Sequence, residues 1–136
     1  MRLVLVGVLA TGCAPPDLAH STLPYAVEAA NEADRPLIVE LSAQWCKPCH
    51  VFAEKVLTDP RVKEALEDVV FVTYDIDTPR GQDAMRRCRE RGVPSVLGID
   101  HDGTVRLRKV GTEPTADEFL VFMRQAHAVL GRHRTP

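Results

Sequence analysis

The sequence predicts an α/β fold, a three-layer α/β/α sandwich built on a central mixed sheet. Two patterns point to it. Apolar β-rich runs alternate with segments of helical spacing in the order α-β-α-β-α-β-β-α, so helices join parallel strands. The last two strands flank an Asp-Gly turn, so an antiparallel hairpin closes the sheet and a final helix covers it. At 136 residues the chain holds one such domain and is too short for two of ordinary size.

Each element has a local cause. Ser21 or Thr22 can cap a first helix with Pro24 in its first turn, and Tyr25 to Ala33 carries it until Asp34-Arg35-Pro36 breaks it. Leu37-Ile38-Val39-Glu40-Leu41 suits a buried strand, with Glu40 the exception in its middle. Helical spacing starts near Cys46 and runs through Phe52, Ala53, Val56 and Leu57. Asp59-Pro60 interrupts it, and Val62 to Leu66 resumes it. The clearest strand is Val69-Val70-Phe71-Val72-Thr73-Tyr74, ending in Asp75-Ile76-Asp77. Residues 80–91 form a helix that Gly92-Val93-Pro94 ends, and Ser95-Val96-Leu97-Gly98-Ile99 follows as a strand. Asp100-His101-Asp102-Gly103 turns the chain, because Asp-Gly tolerates the positive φ of a tight hairpin, and Thr104 to Val110 returns. Thr115 and Glu118 form a T-x-x-E capping box. It opens a last helix with Phe119, Leu120, Phe122, Met123, Ala126 and Leu130 on its apolar side.

Composition narrows the function. Apolar residues make up 45% and charged residues 26%, which supports a packed core and argues against wholesale disorder. Seventeen Lys and Arg against 19 Asp and Glu leave a formal net charge of -2, without the concentrated basic surface that nucleic acid needs. No stretch reaches the about 18 to 20 apolar residues of a membrane span.

The N-terminus has the grammar of a signal peptide: Met1 and Arg2, then an apolar run from Leu3 to Ala10. Ala10-Thr11-Gly12-Cys13 then resembles the lipobox of bacterial lipoproteins, in which the cysteine carries the lipid. Residues 1–12 are therefore expected to be a leader, Cys13 the lipidation site and residues 13–21 a tether. Residues 22–131 would form the domain and 132–136 a tail. A plain secretory leader, or a buried N-terminal strand with an ordinary cysteine, is the alternative.

Four cysteines could make two structural disulfides, but only Cys46 and Cys49 form a unit. Trp45-Cys46-Lys47-Pro48-Cys49 falls at a strand-to-helix junction, where unpaired N–H groups and the helix dipole favour the Cys46 thiolate. Cys49, three residues on, is within disulfide reach and less exposed. An exposed nucleophile with a resolving thiol behind it is a redox pair.

The W-C-x-P-C motif, an acid six residues before the first cysteine (Glu40), and the downstream Val93-Pro94-Ser95 together resemble the thioredoxin superfamily over nearly the whole chain after the tether. Ser42-Ala43-Gln44-Trp45-Cys46 and residues 56–62 look most like one subgroup. It contains the C-terminal periplasmic domain of the disulfide reductase DsbD and its stand-alone relatives. The resemblance implies that Cys46 attacks the substrate disulfide and Cys49 resolves the mixed disulfide. It implies that Pro94 is cis and that Trp45, Val93, Pro94 and Ser95 border the substrate. Glu40 matches the buried acid, usually Asp, that exchanges protons with the resolving cysteine; burial should raise its pKa. Protein disulfides are the implied substrates and a membrane electron donor the implied partner, with the membrane reached only through the lipid anchor. The default state is a monomer, and no cofactor or metal is expected.

Other readings stay open. Net oxidation of client proteins would use the same pair. Cys46-Lys47-Pro48-Cys49-His50 is also C-x-x-C-H, the c-type haem attachment motif, with His50 and either Met85 or Met123 as axial ligands. Cys88, on one face with Ala84 and Met85, reads as a small core residue, or alternatively as a third redox thiol. Arg86, Arg87, Arg89 and Arg91 read as a solvated helix face, or as a docking patch for an acidic partner.

Overall fold

The computed structural model describes residue 18, residues 20–110 and residues 115–131. Cys13 and the expected leader lie outside the described residues. The elements are α1 (Leu23–Ala33), β1 (Leu37–Ser42), α2 (Lys47–Val51, continued as a π-helical turn Phe52–Val56) and α3 (Pro60–Leu66). They continue with β2 (Val70–Asp75), α4 (Pro79–Cys88), β3 (Ser95–Ile99), β4 (Val105–Val110) and α5 (Ala116–Leu130). This is the expected order.

The four strands among the described residues form one mixed sheet in the order β2-β1-β3-β4. β1 and β2 run parallel, with Leu37 beside Val70 and Ser42 beside Asp75. β3 is antiparallel to β1, and β4 is antiparallel to β3. β1 is central and almost wholly buried, as its apolar run, interrupted only by Glu40, requires. Two cores flank the sheet. On one face, Leu23, Ala26 and Ala30 of α1 and Ala84 and Cys88 of α4 pack on Val39, Leu41 and Val72. On the other, Phe52, Val56, Val62, Phe119, Phe122 and Met123 pack on Ile38 and Val96. The three layers are thus α1 and α4, the sheet, and α2, α3 and α5.

Local chemistry sets the boundaries. Asp59 caps α3 by accepting from the Arg61 N–H, with Pro60 in the first turn, so Asp-Pro restarts a helix as well as interrupting one. Thr115 and Glu118 make the capping box reciprocally. Gly103 takes φ 84° in the β3–β4 turn. In that turn burial works against the charge of Asp100, but hydrogen bonds from His101 and Arg106 hold its carboxyl at about 2. Gly81 lets the first turn of α4 lie against the end of β2, where a Cβ would collide with the Asp75 carbonyl.

Three expectations change. The α4 helix stops at Cys88 rather than at residue 91: Arg89 takes a left-handed φ of 57° and its N–H returns to the last turn. Thr22 occupies the N-cap of α1 without a side-chain bond, while the Ser21 hydroxyl donates to the Leu18 carbonyl. Three described residues of the expected tether also lie on the domain. Leu18 packs against the α1–α4 core, Ser21 is buried, and Arg80 donates to the His20 carbonyl.

Candidate active site

β1 delivers the chain to a tight turn in which the Cys46 N–H donates to the Ala43 carbonyl. Cys46 is then the N-cap of α2, extended at φ -85°, and its Sγ accepts from the Cys49 N–H at 3.2 Å. Pro48 sits in the first turn, where a missing N–H costs nothing. Cys46 and Cys49 are joined in a disulfide, their Cα atoms 5.3 Å apart. The motif expectation made Cys46 the exposed member; in this closed form both are buried, at 3% and 2% exposure. Ala43 shares a small apolar cluster with the pair, and Ile76 and Val93 pack against it.

Val93-Pro94 is a cis peptide, and Val93 packs against the cluster that holds the cysteine pair. Pro94 and Ser95 are buried, and the Ser95 hydroxyl donates to the Gly92 carbonyl. Trp45 is 68% exposed, the largest exposed apolar surface next to the pair. Its Nε1–H donates to Asp77, whose own N–H donates to Asp75. Sequence reasoning missed Asp77; the Asp75-Ile76-Asp77 run closing β2 was the available signal. His50 is exposed and its Nε2 bonds the Gln44 carbonyl at 2.7 Å.

Glu40 is 2% exposed in the middle of β1, between Thr73 of β2 and Val96 of β3. Alternation places it on the face of Ile38, toward α2. The Thr73 hydroxyl donates to its Oε2 at 2.8 Å. Burial pushes the carboxyl pKa above its ordinary 4.5, and the Thr73 bond partly offsets that rise. Thr73 was not singled out from sequence, because no spacing rule links residues 33 apart.

Cys88 belongs to the core rather than to the site: it is 1% exposed on the α1–α4 face, and burial pushes its thiol up to about 11. Arg86 and Arg87 both pair with Asp83 one turn earlier, while Arg89 and Arg91 are exposed beyond the end of α4. Among the described residues, no group of three or more His, Cys, Asp or Glu is placed to hold a metal ion.

A sulfur pair at the head of a helix accepts a backbone N–H, stands beside a cis-proline loop and has a buried acid on the strand leading to it. Such a site suits reversible disulfide exchange. Fold and site define the class of thiol:disulfide oxidoreductases. Within it the chain belongs to the thioredoxin-like family, whose model, described as Thioredoxin-like, matches residues 19–100. The thiol:disulfide interchange protein DsbD of Ralstonia nicotianae is 33% identical over 109 residues, which are 78% of this chain and 18% of that protein. The chain therefore spans under a fifth of that relative's length. A thioredoxin from Thermus thermophilus superposes with a TM-score of 0.67 at 27% identity, over 84% of this chain and 94% of that one. The C-terminal domain of Neisseria meningitidis DsbD, in its reduced form, superposes with a TM-score of 0.62 at 25% identity, over 76% and 93%. The likeness to the DsbD C-terminal domain expected from residues 42–46 and 56–62 is borne out.

Proposed function

We propose that this chain is an exported thiol:disulfide exchange protein that reduces protein disulfides in the cell envelope. The carrying observation is the Cys49 N–H aimed at the Cys46 sulfur at the N-cap of α2, beside Val93-Pro94. In the reduced protein that N–H stabilises the Cys46 thiolate. Cys46 attacks a substrate disulfide, one substrate sulfur leaves as a thiolate, and a Cys46–substrate mixed disulfide remains. Cys49 resolves it, giving its proton to Glu40. Trp45, Val93, Pro94 and Ser95 border the substrate, with the Pro94 loop free to pair with its backbone. Cys13 is the lipid anchor, residues 22–131 with Leu18, His20 and Ser21 packed on them form the domain, and the protein acts as a monomer. Its reduced state is renewed by a membrane dithiol donor of the kind that a DsbD-like protein needs.

The test is turnover of a protein disulfide with dithiothreitol as reductant. Cys46→Ser should abolish it, and Cys49→Ser should accumulate mixed disulfides on non-reducing gels; an active Cys46→Ser chain sinks the mechanism. Direction is read from the reduction potential, followed through Trp45 fluorescence. A value near about -270 mV fits a reductase, and one near about -120 mV would make the protein a net oxidase. Haem attachment finds no support in the site. Its two cysteines are bonded to each other, His50 Nε2 is engaged, and Met85 and Met123 pack on opposite faces of the sheet.

A further inference from the structure

A buried acid that takes up a proton in each cycle must also release it, and Glu40 is 2% exposed. The face it shares with Ile38 is covered by Phe52 and Val56 of α2, Val62 of α3 and Phe119 of α5, all apolar. Cys49 lies on α2, the helix that covers this face, and clusters there with Ala43 and Cys46. Across the sheet, Val96 flanks Glu40 on β3 and Thr73 flanks it on β2. Thr73 alone of these is both polar and exposed. Among the described residues it lies on an edge strand, and its hydroxyl reaches Glu40 Oε2 at 2.8 Å. A hydroxyl carries one donor and two acceptor sites, so this bond can reverse. When the carboxyl is protonated its O–H donates to Thr73 Oγ, and the Thr73 O–H turns to water.

We propose that Thr73 is a positioning residue of the redox site, holding one Glu40 oxygen and passing to solvent the proton that Glu40 collects from Cys49. The inference rests on the reading of Glu40 as the proton acceptor of Cys49. In the resolving step the Cys49 sulfur attacks the Cys46 sulfur of the mixed disulfide. The Cys46–Cys49 bond forms, the bond from Cys46 to the substrate breaks, and the electron pair leaves on the substrate sulfur. The Cys49 proton goes to Glu40 and then through the Thr73 hydroxyl to water. Over both steps the protein dithiol is oxidised and the substrate disulfide reduced, with no other reductant needed in this half of the cycle. The Thr73 bond also favours the charged carboxylate, in line with its opposing the effect of burial.

The experiment mixes the pre-reduced full chain with insulin in a stopped-flow cell over about pH 6 to 9, where acid–base catalysis is read from the rate profile. Trp45 fluorescence follows formation of the Cys46–Cys49 disulfide. Thr73→Val removes the hydroxyl at nearly constant volume, and Thr73→Ser keeps it. Thr73→Val should slow the resolving step about fivefold, the net worth of one hydrogen bond, and move the midpoint of the profile upward. Thr73→Ser should restore both. In a Glu40→Gln chain, Thr73→Val should add nothing. A Thr73→Val chain with the original rate and profile overturns the proposal, as does equal slowing with and without Glu40. If Glu40→Gln itself changes neither rate nor profile, the reading of Glu40 fails and this inference falls with it. If Glu40→Gln slows the step and Thr73→Val does not, only the role of Thr73 fails.

Discussion

Glu40 carries an ionisable group inside a strand whose other buried residues are all apolar, and the cost of that placement depends on pH. Burial raises its folded-state pKa above 4.5, so the folded chain holds the proton more tightly than the unfolded one. The stability this confers is complete below the unfolded value and is lost as pH rises through the folded value. Glu40→Gln should therefore be more stable than the parent at about pH 8, with the advantage shrinking toward about pH 4, and less active throughout. Thermal melts at the two pH values check this; a variant destabilised equally at both would contradict it. Cys88 makes the contrasting case, a thiol held up at about 11 by burial and surrounded by core. Peptide mapping after alkylation of the reduced native protein should find Cys46 modified and Cys88 untouched. Cys46 and Cys49 were identifiable from their spacing alone. The partners Asp77 and Thr73 were not, because hydrogen bonds across 32 and 33 residues leave no local pattern.

At the scale of elements, two patterns that close within one turn hold in the structure. The Thr115–Glu118 box opens α5 and the Asp-Gly turn joins β3 to β4, because both rest on bonds between residues three or four apart. The end of α4 was misplaced for the opposite reason. Its helical pattern continues past Cys88, but Arg108 of β4 donates to the Cys88 carbonyl and the chain turns there toward β3. Arg89 then adopts a left-handed conformation that a side chain tolerates poorly. Arg89→Gly should raise stability by about 1 kcal/mol, seen as a higher urea midpoint with unchanged slope. A lowered midpoint would mean that the arginine side chain contributes more than the backbone strain costs.

For the whole molecule, the α5 face of the sheet is held by aromatic packing. Phe119 is fully buried, edge-on to Phe52 at 5.2 Å and to Phe71 at 6.4 Å, and stacked on Phe122 at 6.3 Å. Phe119→Ala should cost about 3 to 5 kcal/mol in chemical denaturation, since the opened cavity lies where α2, α5 and the sheet meet. A loss below about 1 kcal/mol would mean that the core collapses to fill it. The residues by themselves determined the alternation of elements, the class of fold and the redox pair, because each is written in periods and spacings that local backbone geometry reads directly. Only the tertiary structure decided that β3 lies antiparallel beside β1 and that Val93-Pro94 therefore reaches the cysteines. It also decided that Trp45 and Glu40 find their partners on β2 and in the loop after it. Strand order and side-chain partners follow from which faces can be buried together, a condition met by the folded chain as a whole and not by any segment of it.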